Sequence, residues 1–487
     1  MPTGSESRET VSGKPSKAFK LLRKRLRLSM GAMMVGILGI GCVLGWVAHR
    51  ARVQRDAVAA ITTPRRNTRG DVYYDWQFVA GKFDKDAKPR GPRWLRDALG
   101  TEVFDTVVSV TIKGGTVDDE FLKNVGKLHG LETVHVVARA APDLTPAGMA
   151  QLCTLPRLKT LSTRGVAIPR GFVASLAGRT GLRHLWLPQA AVTDDEMAII
   201  GEMTDLEYLQ LDGSNVTDRG FAHVANLKKL TILDMPGVRI MDLAPVADLV
   251  QLDLLCLAPR RTTAAGSVPG AGGPPSLGPL RRLTKLTQLI LGKTRIDDRE
   301  LAVIAGLPKL YYLKIGGSGI TEAGLARIAN SKSLGCLALT DTSIADLRPL
   351  SPLLHAISSL GIENSHLTDA GIEPLLGATR IEDLAIVGSR TTDAGLDHLA
   401  ALTSLSSLRL GRSAITDAGL TRLNSLKSLE SFSLTETELT DSAVETLAGI
   451  QALKSLNLDR SGISAAGIER LKQALPKARI SSARMPE

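Results

Sequence analysis

Leu405-Ser406-Ser407-Leu408-Arg409-Leu410 returns as Leu429-Glu430-Ser431-Phe432-Ser433-Leu434 and again as Leu453-Lys454-Ser455-Leu456-Asn457-Leu458, each copy 24 residues after the last. Leu408 and Leu410 alternate with Ser407, Arg409 and Gly411, the period of two expected of a short strand with one buried face. The run Thr416-Asp417-Ala418-Gly419-Leu420 follows, with Leu423 and Leu426 behind it. Leu420 and Leu423 stand three apart, as one side of a helix requires, and Thr416 and Asp417 suit a helix start. A repeat of this length with this apolar signature is one strand plus one helical segment, stacked into a solenoid. One unit cannot bury its own hydrophobic face, so the core exists only through stacking.

Followed through the chain, the first apolar position recurs at Val107, Leu131, Leu158, Leu182, Leu206, Leu230, Leu252, Leu286, Leu310, Leu334, Ile357, Ile381, Leu405, Leu429 and Leu453, which makes fifteen units. Steps of 27 from Leu131, 22 from Leu230, 34 from Leu252 and 23 from Leu334 break the 24-residue spacing. The long step carries an insertion over 259–279, rich in Gly, Pro and Ser from Ala264 to Pro279, which reads as an added loop. Runs close to Thr416–Leu420 begin at Thr368 and Thr392, and looser ones at Thr193, Thr217, Thr321 and Thr440. Eight positions after each start, the last eight units place a hydroxyl: Thr294, Ser318, Thr342, Ser365, Ser389, Ser413, Thr437 and Ser461. Such hydroxyls are expected to bond the backbone of the neighbouring turn.

On these residues the chain resembles bacterial, planctomycete-like leucine-rich repeat proteins with ribonuclease-inhibitor-like 24-residue repeats and an N-terminal membrane anchor. A similar repeat occurs in the substrate-recognition part of F-box proteins. The resemblance covers about residues 105 to 480 and implies an α/β horseshoe that recognises other proteins. It also implies Asn at the column where this chain has Ser and Thr. No F-box-like module precedes the repeats, so a ubiquitin-ligase role is not carried over.

Leu28 to Ala48 is a 21-residue stretch without a charge, long enough to span a bilayer. It is longer than a signal-peptide core, and Val47-Ala48-His49-Arg50 offers no small-x-small cleavage site. Gly39, where a lipoprotein would carry a large aliphatic residue, argues against lipidation at Cys42. The bland alternative is a buried helix of a soluble protein. Residues 1–27 form a basic tail of net +6, expected to stay cytoplasmic, with the repeats outside. Residues 50–97 are again net +6, so of the chain's +11 the part from Ala98 onward holds about −1. The basic balance belongs to the membrane flanks, where it suits anionic lipid, and nucleic-acid binding is not expected.

A linker is expected over 49–70 and an aromatic N-terminal cap over 71–106. Seven of the chain's seventeen aromatic residues, Tyr73, Tyr74, Trp76, Phe78, Phe83, Trp94 and Phe104, gather there. An aromatic binding site is the other reading, but a solenoid's first turn needs covering. Trp94 to Leu99 looks like a short helix doing so. The repeat domain is expected over 107–477, closed by a C-terminal cap over 478–487.

Catalytic and metal signals are weak. Cys42, Cys153, Cys256 and Cys336 are scattered, and no metal-binding spacing, phosphate loop or nucleophile elbow is present. Asp194, Asp218, Asp298, Asp369, Asp393, Asp417 and Asp441 recur at one repeat position. Stacked carboxylates can hold calcium, but the start of a helix already accounts for them. No cofactor or enzymatic role is expected.

Binding is expected on the concave strand face, two, four and six positions after each start. Arg164, His184, Trp186, Tyr208, Gln210 and Asp212 fall there on three successive units, with Tyr312 and Lys314 as a smaller group. Exposed Trp, Tyr and Arg dominate binding hot spots, although single surface aromatics need no explanation. The leading expectation is a membrane-anchored scaffold for a protein partner. The alternative is a module for an envelope glycan, with Trp186 and Tyr208 stacking on sugar faces and His184 and Asp212 bonding hydroxyls.

Overall fold

The computed structural model describes residues 30–64, 68–79, 82–140, 144–166, 168–188, 190–238, 240–258, 276–292, 296–317 and 319–483. The basic tail, most of the insertion, Thr294, Ser318 and the last four residues lie outside them. Contacts divide the chain into two compact units, Met1–Ala60 with Tyr73–Val108, and Ile61–Val72 with Ser109–Glu487.

The second unit is a leucine-rich repeat solenoid. Parallel strands stack in sequence order, from Val107–Thr116 and Thr133–Ala140 through Ser407–Gly411 and Ser431–Thr435 to Arg479–Ser481. Each irregular repeat step reappears as a register. Thr133 pairs with Thr160, Ile232 with Leu254, Leu254 with Gln288, and Cys336 with Ser359. Extra or missing residues are therefore absorbed between strands, and the sheet stays in phase. Arg479–Ser481 adds a strand beyond the fifteen units, pairing with Ser455–Asn457. The residues expected only to cap the end thus begin by prolonging the sheet.

Packing follows the apolar ladder. Leu405, Leu408, Leu410, Leu420, Leu423 and Leu426 are all buried. Each such leucine contributes roughly 1.5–3 kcal/mol by leaving water. In the last six units the chain turns off each strand through one left-handed residue, seven positions after the start. Gly388 has φ 66°, but Asp341, Asn364, Arg412, Glu436 and Arg460 adopt φ of 52°, 53°, 48°, 55° and 58°. A side chain at such an angle is strained.

The Thr-Asp-Ala-Gly motif works between units. Asp369 accepts the backbone N–H and hydroxyl of Thr392, both at 2.7 Å, and Asp393 does the same to Thr416 at 2.8 and 2.7 Å. Asp119, Asp194, Asp298, Asp417 and Asp441 clamp the next unit's Thr145, Thr217, Thr321, Thr440 and Ser464 alike. The carboxylates thus do more than meet their own helix dipole. Glycine follows because the clamp leaves no room: a Cβ on Gly395 would stand 2.5 Å from Asp369 Oδ1.

The hydroxyl column does something other than expected. Thr437 donates to Leu434 and Ser365 accepts from Leu367, both within their own turns, while Ser389 meets Thr391 at 2.6 Å. The buried hydroxyls of Thr342 and Ser413 have no partner among the described residues. None of these five hydroxyls bonds the backbone of the neighbouring turn among the described residues.

The apolar helix also runs further than the charge-free stretch. It spans Met30–Thr62, and Met33–Thr62 is long and apolar enough to cross a membrane by length and composition. Met33, Met34, Val35, Ile37, Leu38, Ile40, Val43, Leu44 and Trp46 are exposed. The expected linker is therefore largely helix, followed by the strand Thr68–Tyr74. Its spacing explains why: Ala51, Gln54 and Ala57 form a buried stripe, and Gln54 Nε2 donates to the Asp105 carbonyl at 2.8 Å within the first unit. Aromatic pairing there joins Tyr73 with Phe83, Phe78 with Phe83, and Tyr74 with Trp76. Arg93–Leu99 is helical, and Trp94 is 70% exposed. In the second unit Ile61 is buried over Gly70, close to Phe121 of the first turn.

Candidate functional site

Registry places the candidate residues in rows across the sheet. Thr160, His184, Tyr208 and Ile232 are successive partners in one row, and Ser162, Trp186, Gln210 and Asp234 in the next. Leu185 and Leu209 point the other way and are fully buried, which fixes His184, Trp186, Tyr208 and Gln210 on the opposite face.

On that face the aromatic rings touch. Tyr208 lies 6.3 Å from Trp186, tilted by 35°, and 6.3 Å from His184, edge to face. The Tyr208 hydroxyl donates to Gln210 Oε1 at 3.0 Å. Thr160 Oγ1 sits 2.9 Å from His184 Nδ1, while Glu207 stands 4.0 Å from His184 Nε2. Thr160 therefore fixes one end of the imidazole, and Glu207 lies near the other. Two strands back, burial and then His184 keep the His135 imidazole below its ordinary pKa.

The expected residues do not all take the same part. Arg164 and His184 are exposed, and Trp186, Tyr208 and Asp212 are half-buried. Gln210 is only 2% exposed, so it supports Tyr208 from beneath and offers little surface of its own. The Trp186 indole nitrogen is shielded from water and has no hydrogen-bond partner among the described residues. Such an unpaired donor costs about 1–3 kcal/mol. Thr160, which fixes His184, and the nearby Glu207 went unread in the sequence because their importance depends on cross-strand pairing.

Tyr312 and Lys314 form a separate group. Ile232, Leu254 and Gln288 intervene in the row between Tyr208 and Tyr312, four strand steps or about 19 Å. Burial pushes the Tyr312 phenol above its usual pKa. None of the four cysteines forms a disulfide among the described residues, and Cys153 is buried against Ser175. Among the described residues no three His, Cys, Asp or Glu side chains are grouped to hold a metal.

No protein-family model matches the chain, and no curated protein matches it either. Among solved structures, an internalin from Listeria monocytogenes str. 4b F2365 is 26% identical, over 61% of this chain and 90% of that one, with a TM-score of 0.42. A leucine-rich repeat protein of Leptospira interrogans is 18% identical, over 75% and 88%, with a TM-score of 0.46. The plant peptide hormone receptor RGFR1, in complex with RGF2, is 15% identical over 76% and 66%, with a TM-score of 0.40. What this chain has in common with them is the stacked leucine-rich repeat.

Proposed function

We propose that this protein is a membrane-anchored, non-catalytic interaction module whose strand face binds a protein partner. The observation that carries the reading is the ring cluster of His184, Trp186 and Tyr208 on two adjacent strands. Preformed aromatic surface of this kind supplies binding energy at small entropic cost. Arg164 and Asp212 would contribute at its rim, Gln210 by holding Tyr208, and Tyr312 and Lys314 at a second contact along the same face. The apolar first part of the Met30–Thr62 helix, within the expected 28–48 span, would serve as the anchor, with the N-terminus cytoplasmic and the repeats outside.

The test is capture from envelope extract with the full-length protein in detergent, comparing wild type with Trp186→Ala and Tyr208→Ala. One enriched protein lost in both variants, each still folded by circular dichroism, is the expected result. Enrichment that is indifferent to both substitutions would refute the site. Retention on envelope polysaccharide in place of protein would favour the glycan reading. Protease added to spheroplasts should digest the repeats; their protection would overturn the topology.

A further inference from the structure

Further along the strand face lies a hollow with a different chemistry. The registers place Lys314, Ala338, Gly361, Ala385 and Arg409 side by side on five successive strands. Three small residues thus lie between two cations, and the face sinks into a pocket of about 130 Å³ there. Tyr312 and Thr340 line it, and Glu363 and Asp383 bring carboxylates to its wall. The floor is open, since a Cβ on Gly361 would meet nothing nearer than Ala338 Cβ at 3.6 Å.

The charges are balanced but poorly spent on each other. Arg409 Nη1 is 3.9 Å from Glu363 Oε1, a long contact between partly exposed groups. Among the described residues Asp383 accepts only the Ser359 hydroxyl, at 3.2 Å. Lys314 lies in the same pocket, and none of the ion pairs or hydrogen bonds among the described residues involves its ammonium. A purely anionic ligand would meet two carboxylates, and a purely cationic one would meet Lys314 and Arg409. A ligand carrying both signs a few ångströms apart can satisfy both. Size narrows the class. At about 130 Å³ the pocket lies well below the roughly 300 Å³ where drug-sized pockets begin, which suits a small polar ligand.

From the juxtaposition of Lys314 and Arg409 with Glu363 and Asp383 around the Ala338–Gly361 floor, we infer that this pocket binds a small zwitterion, a free α-amino acid with a short side chain. The carboxylate meets Lys314 and Arg409, the ammonium meets Asp383 and Glu363, and the side chain rests on the small-residue floor. The pocket includes Tyr312 and Lys314, which the proposed partner face also uses, but binding of the amino acid does not require the partner.

The experiment is titration calorimetry of the full chain in detergent with glycine, L-alanine and L-serine, and with N-acetyl-L-alanine and L-alaninamide, which each lack one charge. At least one free amino acid should bind, with both capped forms weaker by about tenfold or more, the loss of one charge-assisted contact. Lys314→Met and Asp383→Asn should each weaken binding to a similar degree, and Gly361→Val should abolish it by filling the floor. Circular dichroism checks that the variants are folded, and Lys314→Met, whose side chain contributes no paired charge, keeps the test decisive if Gly361→Val is not. No heat with any free amino acid would overturn the inference. So would capped forms that bind equally well, or binding unchanged in Lys314→Met.

Discussion

Gly395→Ala should destabilise the protein in one background and stabilise it in another. Gly395 sits at φ −67°, ψ −25°, ordinary right-handed helical backbone, where alanine is the better residue by about 0.5–1 kcal/mol. An added Cβ, however, would stand 2.5 Å from Asp369 Oδ1 and 2.9 Å from Ile372 Cδ1. The carboxylate cannot retreat without stretching two bonds of 2.7 Å to Thr392. Overpacking of this kind costs about 1–3 kcal/mol, so the single variant should lose roughly 1–2 kcal/mol net. Asp369→Ala removes both bonds to a charged acceptor and should cost about 2 kcal/mol. With the carboxylate gone, only the flexible tip of Ile372 opposes a Cβ, so Gly395→Ala should then stabilise by up to about 1 kcal/mol. Hydrogen exchange of peptides spanning 368–420, read by mass spectrometry, measures all four corners of the cycle, and each unit should respond locally. A Gly395→Ala cost that is equal in both backgrounds would refute the clamp as the reason for the glycine.

Three further predictions follow from particular residues. The hydroxyl bond from Thr217, opposed in part by burial, holds the Asp194 carboxyl below its usual pKa, and Ser464 does the same to Asp441. A carboxylate depressed in the folded state stabilises above its unfolded pKa and loses that contribution as pH falls through the lower folded value. Amide protection at Thr217 and Ser464 should therefore persist to below about pH 4 and then fail, and Asp441→Asn should remove this acid dependence at Ser464. Arg412→Gly, at a φ of 48°, should leave stability unchanged or raise it by up to about 1 kcal/mol in urea unfolding, whereas a loss would mean that the side chain is structurally required. Thr342→Val removes a buried hydroxyl with no partner among the described residues and should gain about 1 kcal/mol by the same assay.

Much of the fold was legible because a stacked repeat converts sequence spacing directly into strand register. Steps of 22, 23, 27 and 34 residues in the sequence are the same offsets that pair Ile232 with Leu254, Cys336 with Ser359, Thr133 with Thr160, and Leu254 with Gln288. Side-chain roles that arise between units were harder to read. The aspartate column looked sufficient at its own helix start, and only the next unit's threonine reveals the clamp. The hydroxyl column was legible in its position and misjudged in its reach. Burial of Gln210 depends on neighbours one strand away on either side, and the hollow at Gly361 on small residues contributed by separate repeats. The helix past Ala48 was missed because its charges suggested an end, although Ala51, Gln54 and Ala57 keep a helical stripe.

The claim that partner binding uses the strand face at His184, Trp186 and Tyr208 is tested most directly by site-specific photo-crosslinking in intact cells. A photoreactive residue is placed in turn at His184, at Tyr208 and, on the helical side of the same region, at the exposed Ala222. We expect a single adduct of the same mass from positions 184 and 208 and none from 222. An adduct from 222 with none from 184 or 208 would contradict the proposed binding face.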